Sequence, residues 1–77
     1  MGEEILFYFD STAPLSLVAK MFLDREQIPY VPLDVQEKPE IMEDVRSLEY
    51  DQLPVFVLAD GRSWQGFDEE QMTELRV

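Results

Sequence analysis

The sequence predicts an α/β fold in which helices flank a four-stranded mixed sheet, in the order βαβαββα. Three observations support this prediction. Short apolar runs typical of buried strands alternate with segments whose apolar residues recur at helical spacing. The first three elements read strand, helix, strand, which implies a right-handed parallel crossover. Asp60-Gly61 between two strand-like runs indicates an antiparallel hairpin. The 77 residues are expected to form one small domain, residues 1–77.

The first strand and helix are predicted from the amino-terminal third of the chain. Residues 5–9 form a continuous apolar run, which is typical of a central strand covered on both faces. Pro14 is acceptable only in a first helical turn, so we expect a helix from Pro14 to about Gln27. The apolar residues expected to pack this helix on the sheet are Leu17, Val18, Met21 and Phe22.

A second strand and helix follow. Residues 30–35 have strand character, and Pro32 places this strand at an edge because proline cannot donate a ladder hydrogen bond. A short amphipathic helix is predicted from Pro39. Its expected buried face consists of Ile41, Val45 and Leu48.

The carboxyl-terminal part is predicted as a hairpin and a last helix. Residues 55–58 and 62–65 are the expected antiparallel strands, turned by Asp60-Gly61. Asp68 is the predicted amino-terminal cap of the last helix. Phe67 precedes this cap and is expected to pack against Met72 as a hydrophobic staple.

Composition excludes several classes of function. Six basic and seventeen acidic residues give a net charge of −11, which disfavours nucleic acid and anionic membranes as partners. The absence of cysteine and histidine from the sequence excludes thiolate chemistry and the commonest metal ligands, and no cofactor is expected. No segment reads as a signal peptide or membrane span, so a cytoplasmic location is expected.

Carboxylate chemistry or a hard metal ion is an alternative for so acidic a chain. The candidate residues Glu37, Glu40, Glu43 and Asp44 lie along one predicted helical face. Hard cations need several oxygen ligands on one loop, and nothing in the pattern makes these side chains converge. A solvated helix surface is the favoured interpretation, and no metal site is predicted.

Three motifs support a resemblance to a known family. The tetrapeptide Ala13-Pro14-Leu15-Ser16 follows the first strand and opens the first helix. Leu53-Pro54-Val55 precedes the third strand, and residues 60–67 read Asp-Gly-Arg-Ser-Trp-Gln-Gly-Phe. With these motifs the chain resembles the glutaredoxins, and among them the small NrdH-type redoxins, over nearly its whole length. The resemblance implies a thioredoxin-like fold.

The resemblance also implies a binding groove without its redox centre. The two cysteines of the family would fall on Ala13 and Ser16, so no catalytic residue is predicted and no thiol-disulfide activity is expected of the chain as it stands. In the family, the peptide bond before the proline equivalent to Pro54 is cis, and this loop pairs with an extended substrate. The groove residues implied are Ser11, Thr12, Pro14, Leu15, Leu53, Pro54, Trp64, Gln65, Gly66, Phe67 and Asp68.

Glutathione is not expected to bind well. Many glutaredoxins hold a glutathione carboxylate with a lysine at the position of Asp10, and an acidic residue there would repel it. Residues 66–69 nevertheless resemble the glutaredoxin element that meets the glutathione amino group. The implied groove is therefore a hybrid of the two family types, with acidic residues at both ends.

Two functions remain open at this point. The preferred hypothesis is a redox-inactive module that binds a protein partner in the groove, with a thioredoxin reductase or ribonucleotide reductase as the partners implied by the resemblance. The alternative is an electron-donating glutaredoxin-type oxidoreductase whose cysteines have been replaced in this chain.

Overall fold

The structure is a computed structural model that describes residues 4–75, and its elements follow the predicted order. The strands are β1 (Ile5–Phe9), β2 (Tyr30–Asp34), β3 (Val55–Val57) and β4 (Ser63–Gln65). The helices are α1 (Pro14–Arg25), α2 (Ile41–Ser47) and α3 (Glu69–Met72), and α3 continues into a 3₁₀ turn, Thr73–Leu75. Within residues 4–75, none of the helices has the length and apolar character needed to cross a membrane.

The four strands form one mixed sheet with the order β2-β1-β3-β4. β1 runs parallel to β2 and antiparallel to β3, and β3 runs antiparallel to β4. The edge position predicted for β2 from Pro32 is confirmed. Phe9 is level with Asp34, and Val55 is level with both Tyr8 and Gln65. The loops that begin or end at these residues therefore meet at one end of the sheet.

These loops are named the loop cluster, which consists of residues 10–13, 35–40, 51–54 and 66–68. It contains the segment after β1, the segment after β2, the segment before β3 and the segment after β4. The cluster is the place to which the topology brings the motifs of the sequence analysis.

The core lies on both faces of the sheet. On one face, Phe7 and Phe56 are fully buried, with ring centroids 5.1 Å apart, and α1 and α3 add Leu23 and Met72. On the other face, Val55 packs with Tyr8 of β1 and with Ile41 and Val45 of α2. Apolar β1 and β3 are covered on both sides, which is why their sequences do not alternate between polar and apolar residues.

The apolar face predicted for α1 is wrong in three of its four residues. Phe22 is buried, but Leu17 is 40%, Val18 46% and Met21 68% exposed. The buried residues of α1 are Ser16, Ala19, Phe22 and Leu23, which recur at helical spacing on the opposite side. The helix carries apolar residues on two faces, and the buried face includes the small residues Ser16 and Ala19.

Several boundaries also differ from the prediction. α1 ends at Arg25, not near Gln27, because Gln27 takes the left-handed conformation with φ of 59°. α2 begins at Ile41, after a turn that includes Pro39, and Leu48 is 38% exposed instead of buried. β2, β3 and β4 are each one residue shorter than expected.

The hairpin has a longer loop than a two-residue Asp-Gly turn. Leu58 and Arg62 face each other through a hydrogen bond from Leu58 N to Arg62 O of 2.8 Å, so Ala59, Asp60 and Gly61 form the loop. Gly61 has φ of 97°, a conformation that suits glycine. The antiparallel pairing predicted for these strands is confirmed.

Candidate functional site

The segment after β1 is a turn held by Asp10. Its carboxylate Oδ1 accepts hydrogen bonds from Thr12 N at 2.8 Å and from Thr12 Oγ1 at 2.7 Å. The carbonyl oxygen of Asp10 accepts from Ala13 N at 3.0 Å. Ala13 is the residue before α1, and it provides no side-chain cap. The turn therefore directs the chain from β1 into α1 by means of Asp10 and Thr12.

Ser16 closes this turn from inside the protein. Its side chain is fully buried, and its Oγ accepts a hydrogen bond from Asp10 N at 3.1 Å. A buried polar group needs such a partner to avoid an unfavourable desolvation. Ser16 is buried, and the sequence has no histidine that could act as its catalytic base. Both observations are in line with a structural role for this hydroxyl.

A second set of hydrogen bonds joins the loops that follow β1 and β2. Asp34 Oδ1 accepts from Ser11 N at 3.1 Å and from Gln36 N at 3.0 Å. The side-chain amide of Gln36 donates to Asp10 Oδ1 at 3.0 Å. Asp34 and Gln36 were not among the predicted site residues. The signal was a turn-forming Asp at the end of a strand, which is a common place for a side chain to bind backbone N–H groups.

The hydrogen bonds shift the acidity of both carboxyl groups. The hydroxyl and the backbone N–H of Thr12, together with the Gln36 amide, hold the pKa of Asp10 below its ordinary value. Desolvation opposes such a shift for Asp34, but the N–H groups of Gln36 and Ser11 outweigh it and lower the pKa of Asp34. Both side chains are therefore ionised at neutral pH.

The segment before β3 is fixed by bonds to β4. The Leu53–Pro54 peptide bond is cis, the isomer expected from the resemblance. Gly66 N donates to Pro54 O at 2.7 Å, and Gly66 has φ of 85°. The side-chain Oε1 of Gln65 accepts from Asp51 N at 3.3 Å and from Gln52 N at 3.2 Å. Gln65 therefore anchors this loop.

The predicted groove residues divide into surface and interior. Those whose side chains are exposed are Ser11, Thr12, Pro14, Leu15, Gln65 and Asp68, and those that are half-buried include Leu53, Gly66 and Phe67. The side chain of Pro54 is fully buried. The register of the strands brings all of these residues to, or next to, the loop cluster.

Trp64 does not form an exposed wall of the groove. It is only 8% exposed and packs against Phe56, with ring centroids 5.7 Å apart. Trp64 lies on β4 at the position level with Phe56 of β3, so its side chain shares the core face of the sheet. Its Nε1 is buried without a hydrogen-bond partner in the described part of the chain. The indole is a core residue beneath the cluster.

Asp68 and Phe67 have the predicted positions at the start of α3. Asp68 Oδ1 accepts from Glu70 N at 2.9 Å, which makes Asp68 the amino-terminal cap. Phe67 packs on the core that contains Met72, and its ring lies 5.9 Å from that of Phe22. These contacts join the carboxyl-terminal side of the loop cluster to α1.

The site contains neither a thiol nor an imidazole. A sequence without cysteine or histidine offers no thiolate nucleophile and no imidazole base. Among residues 4–75, no three acidic side chains come together in a way that could hold a metal ion. The cluster and the adjoining first turn of α1 present a backbone held by hydrogen bonds, the apolar side chains of Leu53 and Leu15, and ionised carboxylates.

Comparison with solved structures identifies the fold. NrdH-redoxin from Escherichia coli, a glutaredoxin-like protein with a thioredoxin-like activity profile, superposes with a TM-score of 0.85 and 24% identity over 96% of each chain. The glutaredoxin of Archaeoglobus fulgidus gives a TM-score of 0.80 and 29% identity over 95% of this chain and 85% of that chain. A thioredoxin-like protein gives 0.80 and 23% identity over 94% of this chain and 99% of that chain.

The chain therefore has the thioredoxin-like fold of the glutaredoxin type, as the resemblance implies. No protein-family model and no curated protein sequence matches it.

Proposed function

We propose that this protein is a redox-inactive, glutaredoxin-like module that binds a protein partner at the loop cluster. The observation that carries the proposal is that hydrogen bonds, and no thiol, hold the loops of the cluster in place. Ser16, Asp10 and Asp34 fix the segment after β1, and Gly66 and Gln65 fix the segment before β3. A surface whose backbone is held in one conformation loses little conformational entropy on binding.

The exposed side chains of the cluster and of the adjoining first turn of α1 suit a peptide ligand. Leu15 is 46% exposed beside the turn, and Leu53 and Phe67 are half-buried on the other side. Such partly exposed apolar groups gain stabilisation when a partner covers them. The partner proposed is a thioredoxin-reductase-like enzyme or ribonucleotide reductase. The proposed location is the cytoplasm. The protein would occupy a redoxin's docking site there without passing electrons.

A competition assay tests this proposal. Thioredoxin reductase, NADPH and an active NrdH-redoxin are combined with a disulfide substrate, and increasing amounts of this protein are added. The expected result is competitive inhibition, in which the KM for the active redoxin rises and kcat is unchanged. The same assay with ribonucleotide reductase tests the other partner. Unchanged kinetics with both enzymes, at large excess of the protein, would contradict the proposal.

A matched pair of variants shows where the partner binds. Leu15→Glu introduces a charge beside the loop cluster, in the first turn of α1, whereas Leu48→Glu introduces the same charge directly after α2, at a side chain of similar exposure. Inhibition should be lost with Leu15→Glu and kept with Leu48→Glu. Loss with both variants, or with neither, would place binding outside the cluster.

The alternative function, an electron-donating redoxin that lacks its cysteines in this chain, has one specific observation in its favour. Ala13 and Ser16 stand three residues apart at the start of α1, the first half-buried and the second fully buried, so two thiols there would be neighbours. The double variant Ala13→Cys/Ser16→Cys tests it, with NADPH-driven disulfide reduction measured through thioredoxin reductase and separately through glutathione. Turnover by the double variant would favour this function, and an inactive folded double variant would exclude it.

A further inference from the structure

The outer face of α1, formed by Pro14, Leu17, Val18 and Met21, is an apolar surface that the fold leaves uncovered. These four residues are spaced three and four apart, so they share one side of the helix. All four are exposed, and Met21 is the most exposed of the large apolar side chains described, at 68%. The buried face of the same helix, which includes Ser16, Ala19 and Leu23, points away from them.

This face belongs to a segment of the chain whose formal charges cancel, in a strongly acidic protein. Residues 11–33 contain only four charged side chains, the basic Lys20 and Arg25 and the acidic Asp24 and Glu26. Their formal charges cancel, so the whole net charge of −11 belongs to the rest of the chain. The four are also paired locally, since Lys20 Nζ lies 3.0 Å from Asp24 Oδ2 and Arg25 Nε lies 3.4 Å from Glu26 Oε2.

We propose that a second copy of this chain covers the outer face of α1, through antiparallel packing of the two α1 helices about a two-fold axis. A strongly basic partner would be matched by an excess of acidic residues on this segment, and residues 11–33 have no such excess. Two copies instead bring together two neutral apolar strips. An antiparallel pair also sets each helix's amino-terminal end beside the other's carboxyl-terminal end, which is the favourable arrangement of helix dipoles.

The spacing along the helix makes this face self-complementary. The centre of the strip lies between Leu17 and Val18, so an axis there sets Met21 of one copy opposite Pro14 of the second copy. At the same register, Arg25 of one copy comes level with the turn 10–13 of the second copy, in which Asp10 is the charged residue. A two-fold interface places these opposite charges level with each other at two positions, one at each end of the helix pair.

The size of the face predicts a weak dimer. α1 has 12 residues and is therefore about 18 Å long. A helix-to-helix contact of that length falls below the roughly 800 Å² per partner that is usual for stable complexes. The net charge of −11 on each copy also opposes association until salt screens it. The dimer should therefore form at high protein concentration and become stronger as salt is added.

Sedimentation equilibrium and NMR together test the proposal, which does not depend on the proposed function. The unmodified chain is measured from about 10 μM to about 1 mM, at about 50 mM and about 500 mM NaCl. We expect a monomer–dimer equilibrium whose dissociation constant falls severalfold at the higher salt concentration. Amide shifts that change with protein concentration should map to residues 14–25.

Two variants and a control make the test specific. Met21→Glu and Val18→Lys each change an exposed residue, so both variants should fold, and each should raise the dissociation constant at least about tenfold. Leu48→Glu adds a charge at an exposed apolar residue directly after α2, and it should leave the dissociation constant unchanged apart from the small effect of net charge. A chain that stays monomeric at both salt concentrations, or a dimer whose shifts map away from α1, would overturn the proposal.

Discussion

Ser16 stabilises the turn between β1 and α1 through a buried hydrogen bond. Its hydroxyl stands where the resemblance puts a cysteine, yet the group is fully buried and accepts a hydrogen bond from Asp10 N at 3.1 Å. A thiol is a weak acceptor, so a hydroxyl is better suited to hold this N–H. The turn between β1 and α1 thus depends on the hydroxyl of Ser16.

Replacement of Ser16 by alanine is expected to destabilise the fold by about 1–3 kcal/mol, because the variant removes the acceptor of Asp10 N and leaves a small void. Urea unfolding followed by circular dichroism gives the free energy of unfolding. Ser47→Ala is the control, since Ser47 is exposed and its hydroxyl only donates to Asp44 O at 2.7 Å. Equal free-energy changes in the two variants would contradict the structural role of Ser16.

Asp10 predicts a dependence of stability on pH. Its pKa is lowered in the folded protein by Thr12, so the folded state favours the charged carboxylate. The resulting stabilisation is present above the ordinary aspartate pKa of about 3.9 and is lost as the pH falls through the lower, folded value. The unmodified protein should therefore be more stable than Asp10→Asn at pH 7, and the difference should disappear in acid.

NMR titration checks this directly. The pH midpoint of the chemical-shift titration of the Asp10 carboxyl carbon should be lower in the folded protein than in the urea-unfolded chain. Coincident midpoints, or a stability difference that grows as the pH falls, would show that the turn does not use the charge of Asp10.

At the scale of elements, the sequence was sufficient for order and direction but not for every face. β1 and β3 are short apolar runs typical of buried strands, and Pro32 and Asp60-Gly61 indicate the edge strand and the hairpin. α1 was harder because its residues Leu17, Val18 and Met21 have the same spacing as a core stripe. Periodicity reveals an apolar face, but it does not reveal which of two faces meets the sheet.

The loop cluster shows a similar limit. The positions of Ala13, Pro54 and Gly66 could be expected from motifs that lie within short stretches of sequence. The contacts of Gln36 with Asp10 and of Asp34 with Ser11 could not, because they span 26 and 23 residues and depend on the parallel pairing of β1 with β2. Trp64 was assigned to the groove by resemblance, whereas the register opposite Phe56 places it in the core.

The two faces of α1 give a prediction for this element. Leu23→Ala, in the buried face, should lower the free energy of unfolding by about 2–5 kcal/mol because it removes packed apolar volume. Leu17→Ala, on the outer face, should change it by less than about 0.5 kcal/mol. Thermal and urea unfolding at low protein concentration provide the comparison. A large loss of stability with Leu17→Ala would instead support the prediction from the sequence that Leu17 packs in the core.

At the scale of the whole molecule, negative charge greatly exceeds positive charge. Arg46 and Arg62 each lie beside an acidic residue, with Arg46 Nη1 3.4 Å from Glu43 Oε2 and Arg62 Nε 2.8 Å from Asp60 Oδ2. Such exposed pairs contribute little to stability. The seventeen acidic residues greatly outnumber the six basic ones, so the folded chain concentrates unbalanced negative charge in a small volume. Unfolding moves these charges apart.

This repulsion predicts that salt stabilises the native monomer. Raising NaCl from about 10 mM to about 500 mM shortens the screening length from about 30 Å to a few ångströms, which weakens repulsion more in the compact state than in the expanded one. A gain of about 1 kcal/mol would raise Tm by roughly 4–8 °C for a domain of this size.

The measurement uses Met21→Glu, whose outer α1 face is blocked, so that self-association does not contribute. A matched variant in which exposed Glu40 and Glu43 of the same chain become glutamine should show a smaller rise, because less repulsion remains to be screened. A Tm that is independent of salt, or one that rises equally in both proteins, would mean that net charge does not limit the stability of this fold.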